Sequence, residues 1–217
     1  MNYIVPIISY LSPLLLGLVV PFLIAFRNDK VSLLRIVLYK VTLPVIIVMI
    51  IVSILNIIYL NNPFSLTIIN SLQLTVFLWL WALMTAGVSY LFITLGVDKN
   101  LIYIIISILI LLTNTTIFYI NPFINACQQN TILRQWVIKI AMNINPILVI
   151  AGNFFKHDIL RSNSMYSICD IGPYYFYGYV NWINVLLYYI LISISAFGLA
   201  VISNWLISRR TRKREHE

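Results

Sequence analysis

Residues Asn121 to Trp182 read NPFINACQQNTILRQWVIKIAMNINPILVIAGNFFKHDILRSNSMYSICDIGPYYFYGYVNW and lie between long apolar stretches on both sides. We call this segment the polar island. It holds both cysteines, one of the two histidines and two of the six acidic residues. The side of the membrane on which the polar island lies decides how every other segment is oriented.

Composition sets the class of the protein. Hydrophobic residues make up 61% of the chain, charged residues only 9%, and the mean hydropathy is +0.95, values typical of an integral membrane protein. The apolar runs are continuous instead of alternating, which favours spanning helices over barrel strands. We therefore predict an all-α, polytopic membrane helix bundle that forms a single transmembrane domain over residues 1–217.

A transmembrane helix needs roughly 20 consecutive apolar residues. The chain offers five such runs, and we predict a full span at each: about 4–26, 41–60, 66–95, 101–120 and 183–207. An amphipathic segment at 27–40 follows the first span, and a basic tail at 208–217 follows the last.

Basic residues predict the orientation of the spans. Segment 27–40 carries four Lys or Arg against one acid, and five more follow the last span directly. Short segments rich in Lys and Arg stay in the cytoplasm. We therefore expect a multi-pass protein of the cell inner (plasma) membrane with an outer amino terminus, a cytoplasmic carboxyl terminus and an odd number of crossings.

An odd number of crossings requires that the polar island crosses the membrane either twice or not at all. Charge at mid-bilayer is costly. The most apolar part of the island, Trp136 to Phe155, contains one charged residue, three asparagines and a proline, which are Lys139, Asn143, Asn145, Asn153 and Pro146. We predict that this part is a re-entrant or interfacial helix on the outer side. The basic residues then divide as ten inside against four outside, so the net charge of +8 reflects topology and not nucleic-acid binding.

Candidate chemistry in the sequence is sparse. Cys127 and Cys169 both fall on the predicted outer side, where they would form a disulfide in an oxidising compartment or remain buried thiols. His157 and Asp158 fit the interfacial end of the re-entrant helix better than an acid–base pair. We find no metal-ligand spacing, phosphate-binding glycine loop or nucleophile motif. We therefore expect no catalytic, cofactor-binding or metal-binding residues, and no enzyme activity.

The order of these segments resembles spans two to six of the permease subunits of type-II ATP-binding-cassette exporters. The shared features are a basic amphipathic inner segment after a span, a tight inner turn at Gly96 to Asn100, and an outer re-entrant region before the last span. The sequence departs from the family in lacking its usual first span and amino-terminal interfacial helix. FRNDKVSLLR also lacks the family's acidic and Gly-Thr pattern, so a complete permease and a split or accessory subunit both stay open.

The resemblance implies a function and a set of partners. The chain would couple a separate cytosolic ATP-binding subunit to movement of a lipid-like or other amphipathic substrate, within a homo- or hetero-oligomer of permease subunits surrounded by membrane lipids. The docking surface for the ATPase would consist of Arg27, Lys30, Leu33, Leu34 and Arg35. The alternative is a non-transporting structural or assembly subunit of a larger membrane complex, with the polar island as its protein contact.

Overall fold

A computed structural model describes residues 4–26, 36–59, 66–127, 130–156 and 181–214, and this part of the chain is helical with no strand. Four helical stretches in it are long and apolar enough to cross a membrane, or five if one bent helix pair counts as a span. The predicted fold class, an all-α membrane helix bundle, is therefore confirmed.

The four stretches of spanning length are Ile4–Ala25, Ile36–Ile58, Ile68–Thr94 and Trp182–Arg209, and they match four of the five predicted runs. The helix at the fourth predicted run is apolar but has only 16 residues, fewer than these four stretches. In chain order the helices are α1 (Ile4–Ala25), a π-helical turn named π1 (Ile36–Thr42) that continues into α2 (Leu43–Ile58), α3 (Ile68–Thr94), and α4 (Lys99–Asn114), followed by the single turn α5 (Thr116–Tyr119). The polar island contributes α6 (Asn121–Ala126), α7 (Thr131–Ile144) and α8 (Pro146–Phe154) before α9 (Trp182–Arg214).

Three boundaries differ from the prediction. The second apolar stretch is already helical at Ile36, the first residue described after residue 26, although its predicted start is residue 41; α9 continues through Arg214 instead of ending at 207. The fourth run, predicted to reach residue 120, is interrupted after Asn114, where Asn114 Nδ2 donates to the Ile110 carbonyl at 2.8 Å and Thr115 Oγ1 to the Leu111 carbonyl at 2.6 Å. Side chains that bond to nearby carbonyls compete with the regular helix ladder.

Helices α3 and α9 pack against each other in parallel. Phe77 lies 5.5 Å from Tyr189 between ring centroids, and Gly87 faces the side chain of Phe197 further along both helices. Residue numbers therefore rise together along the contact. Both helices finish at the same end of the bundle, which we call the tail end, and both begin at the opposite end, which we call the island end.

Helices α1 and α4 run antiparallel. Gly17 faces the side chain of Ile110, whereas Phe22 and Phe26 contact the ring of Tyr103 near the start of α4. Because α4 follows α3 through the short turn at Gly96, where φ is +78°, α4 starts at the tail end and α1 finishes there. A left-handed turn of this kind favours glycine.

Helix α3 is the centre of the bundle. Its side chains Leu74, Phe77, Leu78 and Trp81 are almost completely buried, and it contacts α1, α2, α4, α8 and α9. By contrast, α2 exposes most of its apolar surface, as expected of a helix that faces lipid on one side.

The close approach of α1 and α4 predicts different outcomes for two glycine substitutions. A Cβ atom on Gly17 would lie 2.8 Å from Ile110 Cγ2, while a Cβ on Gly198 would meet nothing within 4 Å. We expect Gly17→Leu to destabilise the protein by about 1–3 kcal/mol through overpacking, and Gly198→Leu to leave stability unchanged or slightly higher. Thermal unfolding in detergent measures both, and equal melting temperatures for the two variants would contradict this packing.

Candidate functional site

The π1 turn is buried although it contains a charged residue. Ile36, Lys40 and Val41 are 1%, 6% and 0% exposed. Turn π1 packs against α1 and α3. Ionisable residues within membrane-spanning stretches face the bundle interior and are usually functional. Lys40 is therefore the most unusual residue among the described spans.

Pro44 explains the π-helical geometry. It stands in the first turn of α2, has no N–H to donate to the Lys40 carbonyl, and its ring crowds that carbonyl. Widening the preceding turn to π geometry relieves this crowding, and such π turns occur frequently at functional sites. The π1 turn therefore marks a position where proline removes a backbone hydrogen bond of the α-helix.

Thr42 links π1 to the central helix. Its Oγ1 donates to the Val37 carbonyl at 2.8 Å and accepts a hydrogen bond from Trp79 Nε1 at 3.1 Å. We call π1 together with Thr42 and Trp79 the coupling junction. A displacement of π1 would be passed to α3 through this bond and through the buried side chains.

Trp81 connects α3 to two further helices. Its Nε1 donates to the Pro13 carbonyl of α1 at 2.8 Å, and its ring lies 5.3 Å from that of Tyr189 on α9. A buried indole N–H needs a hydrogen-bond partner. The tryptophan therefore makes α1, α3 and α9 one connected unit.

Asn145 organises the island end. It is 0% exposed, its Oδ1 accepts from the N–H groups of Ile147 and Leu148 at 3.0 and 3.2 Å, and its Nδ2 donates to the Asn114 carbonyl at 3.0 Å. The side chain thus caps α8 and fixes it to the end of α4. Asn followed by Pro is a strong helix-start signal, and here it produces a bend of 82° between α7 and α8.

The far end of α8 lies at the island end as well. Asn70 Nδ2 at the start of α3 donates to the Phe154 carbonyl at 3.4 Å, and the Trp182 N–H at the start of α9 donates to Asn153 Oδ1 at 3.3 Å. Helix α8 therefore begins and ends at the same end of the bundle. We call Asn114, Asn145 and the four contact residues Asn70, Asn153, Phe154 and Trp182 the island-end cluster.

Helix α7 presents an apolar stripe outward. Ile132, Trp136 and Ile140 are 68%, 61% and 51% exposed, and residues four apart lie on one helix face. The opposite face of α7 buries Ile138, Ala141 and Met142. The stripe suits a membrane interface or a protein partner.

The predicted site residues are only partly covered by the described chain. Arg27, Lys30, Leu33, Leu34 and Arg35 lie outside it, as do His157, Asp158 and Cys169. Cys127 is half-buried just after α6 and forms no bridge within the described residues, so the pairing with Cys169 stays a prediction. Within the described part of the chain, no cluster of three or more His, Cys, Asp or Glu residues could hold a metal ion.

Sequence reasoning missed two important residues. The sequence pattern places Lys40 in the amphipathic inner segment 27–40, whereas the structure buries it in a span-length stretch. Pro44, in the first turn of α2, is the sequence signal for the unusual turn that contains Lys40. Asn145 was counted only as a polar residue unfavourable to a span, whereas it forms the cap of α8.

Comparisons of this chain with models of protein families, with curated proteins and with solved structures give no match.

Two asparagine caps test the role of the island-end cluster. Asn130 and Asn145 each accept two backbone N–H bonds at a helix start, but Asn130 is exposed and only Asn145 is buried and bonded to Asn114. We expect Asn130→Ala to cost about 1 kcal/mol and Asn145→Ala about 2–4 kcal/mol, because a buried carbonyl also loses its donor.

Thermal unfolding in one detergent compares the two variants directly. A smaller loss for Asn145→Ala than for Asn130→Ala would contradict the view that Asn145 fixes α8 to α4.

Proposed function

We propose that this chain is a permease subunit of an ATP-driven exporter, in which a separate cytosolic ATPase drives movement of a lipid-like or other amphipathic substrate. The observation that supports the proposal best is the coupling junction. The π1 turn follows directly after the predicted docking residues Arg27 to Arg35 and is buried against α1 and α3.

The proposed mechanism uses mechanical coupling. The ATPase would bind segment 27–35 and displace it as nucleotide binds and is hydrolysed. Turn π1 is the next element along the chain, and the Thr42–Trp79 hydrogen bond joins it to α3. Trp81 extends the connection to α1 and α9, and α3 meets the island-end cluster at Asn70.

Orientation is part of the proposal. The basic residues of α9 from Arg209 onward and Lys99 at the start of α4 belong to the tail end, which we therefore assign to the cytoplasm on the basis of the positive-inside rule. The island end would then face outward, and a path for substrate would open there between two permease subunits.

A structural or assembly subunit is the second candidate. The outward apolar stripe of Ile132, Trp136 and Ile140 on α7 favours it, because an exposed apolar face at the island end suits a protein contact. In that case the partner would bind through α7 and would not depend on segment 27–35.

Copurified ATPase activity separates the two candidates. We expect an ATPase subunit to copurify in stoichiometric amounts with the tagged chain extracted from its native membrane. The purified complex should show vanadate-sensitive ATP hydrolysis. Leu33→Asp with Leu34→Asp should abolish that activity by placing charge in the predicted docking surface. The matched control, Leu133→Asp on exposed α7, should retain it. A partner protein that stays bound to the first variant and is lost from the control would support the structural subunit instead.

The coupling junction makes a separate prediction. Thr42→Val removes the acceptor for Trp79 Nε1, whereas Thr113→Val removes only a bond to the Ile110 carbonyl of its own helix. With Cys169 replaced by Ser, we expect ATP and vanadate to change the labelling rate of Cys127, and Thr42→Val to reduce this change several-fold while the ATPase stays bound.

Thr113→Val should leave the nucleotide response of Cys127 as in the wild type. An unaltered response in Thr42→Val would show that the Thr42–Trp79 bond does not transmit the motion.

A further inference from the structure

A groove of about 490 Å³ lies between α3 and α9 near the tail end. Leu91 and Leu95 line it on α3, and five residues between Leu199 and Ile207 line it on α9. The two helices are in close contact at Gly87, where an added Cβ would lie 3.1 Å from the Phe197 ring. The groove occupies the space between that contact and the tail end.

The lining of the groove suits a hydrocarbon chain. All of its side chains are apolar except Ser203, and its volume falls in the roughly 300–1,000 Å³ range of pockets that hold small ligands. Because only α3 and α9 contribute to the lining, the groove opens sideways, toward the lipid that surrounds a spanning bundle.

The rim of the groove at the tail end is cationic. Arg209 follows Ile207 by two residues, about 3 Å along the helix axis, and its guanidinium lies 3.9 Å from the centre of the exposed Trp205 ring. The chain continues with Arg210, Arg212, Lys213 and Arg214. Lys99, exposed at the start of α4, adds a positive charge at the same end of the bundle.

One acid, Asp98, lies at the described tail end of the bundle, just before α4. The Asp98 carboxylate accepts hydrogen bonds from the N–H groups of Asn100 and Leu101 at the start of α4. Among the described side chains Arg209 and Lys99 outnumber this one acid, and the sequence adds four basic residues directly after Arg209. Positive charge at the tail end therefore accompanies an apolar cleft that opens into the bilayer.

We propose that this groove binds an anionic phospholipid of the leaflet at the tail end, with one acyl chain between α3 and α9 and the headgroup phosphate at Arg209. Basic sites between transmembrane helices are suited to anionic lipid headgroups. A second copy of this chain docked in parallel on the groove would bring its own row of arginines against Arg209, and like charges disfavour that contact. The inference does not depend on the proposed ATPase partner.

Native mass spectrometry of the full-length protein in detergent tests the site, with dioleoyl phosphatidylglycerol and dioleoyl phosphatidylcholine as probes. We expect the anionic lipid to bind at least tenfold more tightly than the zwitterionic one. Arg209→Gln should weaken phosphatidylglycerol binding about fivefold, the contribution of one cation near an anionic headgroup.

Filling the groove without changing its charge distinguishes lipid binding in the groove from nonspecific attraction of anionic lipid to the basic residues at the tail end. Ser203→Trp, and independently Leu206→Trp, should each weaken phosphatidylglycerol binding at least tenfold. The matched control is Leu191→Trp on the same helix, 61% exposed and outside the groove, and it should bind as the wild type does. Melting temperatures confirm that each variant is folded.

Two outcomes overturn the proposal. If both groove variants are folded and bind phosphatidylglycerol as tightly as Leu191→Trp does, lipid binds only to the basic rim. If they change the oligomeric state while lipid binding stays the same, the groove holds a protein helix.

Discussion

The parallel contact between α3 and α9 at Gly87 is the constraint on which the rest of the structure depends. A glycine there lets the Phe197 ring lie against the backbone of α3, and close approach at small residues is a principal source of helix association in membranes. Helices α3 and α9 are parallel, and α4 runs antiparallel to α3. The chain between α4 and α9 must therefore begin and end at the same end of the bundle, the island end. The bend at Asn145 satisfies this requirement.

Hydrogen bonds supply the specificity that apolar packing lacks in lipid. Leucine side chains gain little from leaving a hydrocarbon environment, so helix positions are set by close packing and by interhelical hydrogen bonds. Trp81 to Pro13, Trp79 to Thr42 and Asn145 to Asn114 are such bonds. The two tryptophan bonds lie close together near the middle of α3 and join it to π1 and α1, and the asparagine bond joins α8 to α4 at the island end.

The sequence predicted the helical membrane class and the centres of the long helices, because continuous apolar runs are a strong signal. It did not predict where α4 ends, because the competition between the Asn114 and Thr115 side chains and the helix ladder depends on local geometry. The burial of Lys40 also required the structure, since a lysine close to other basic residues looks like a surface residue until its neighbours are placed. The predicted docking residues Arg27 to Arg35 lie outside the described chain and stay a prediction.

Cysteine accessibility tests the central claim, the return of the chain between α4 and α9. In a chain with Cys127 and Cys169 replaced by Ser, single cysteines at the exposed positions Asn100 and Ser208 mark the tail end, and those at the exposed Asn130 and Asn181 mark the island end. A membrane-impermeant thiol reagent should label Asn130→Cys and Asn181→Cys from one face, and Asn100→Cys and Ser208→Cys only from the other. Labelling of positions 130 and 181 from opposite faces would show that α7 and α8 cross the membrane, and would contradict the account.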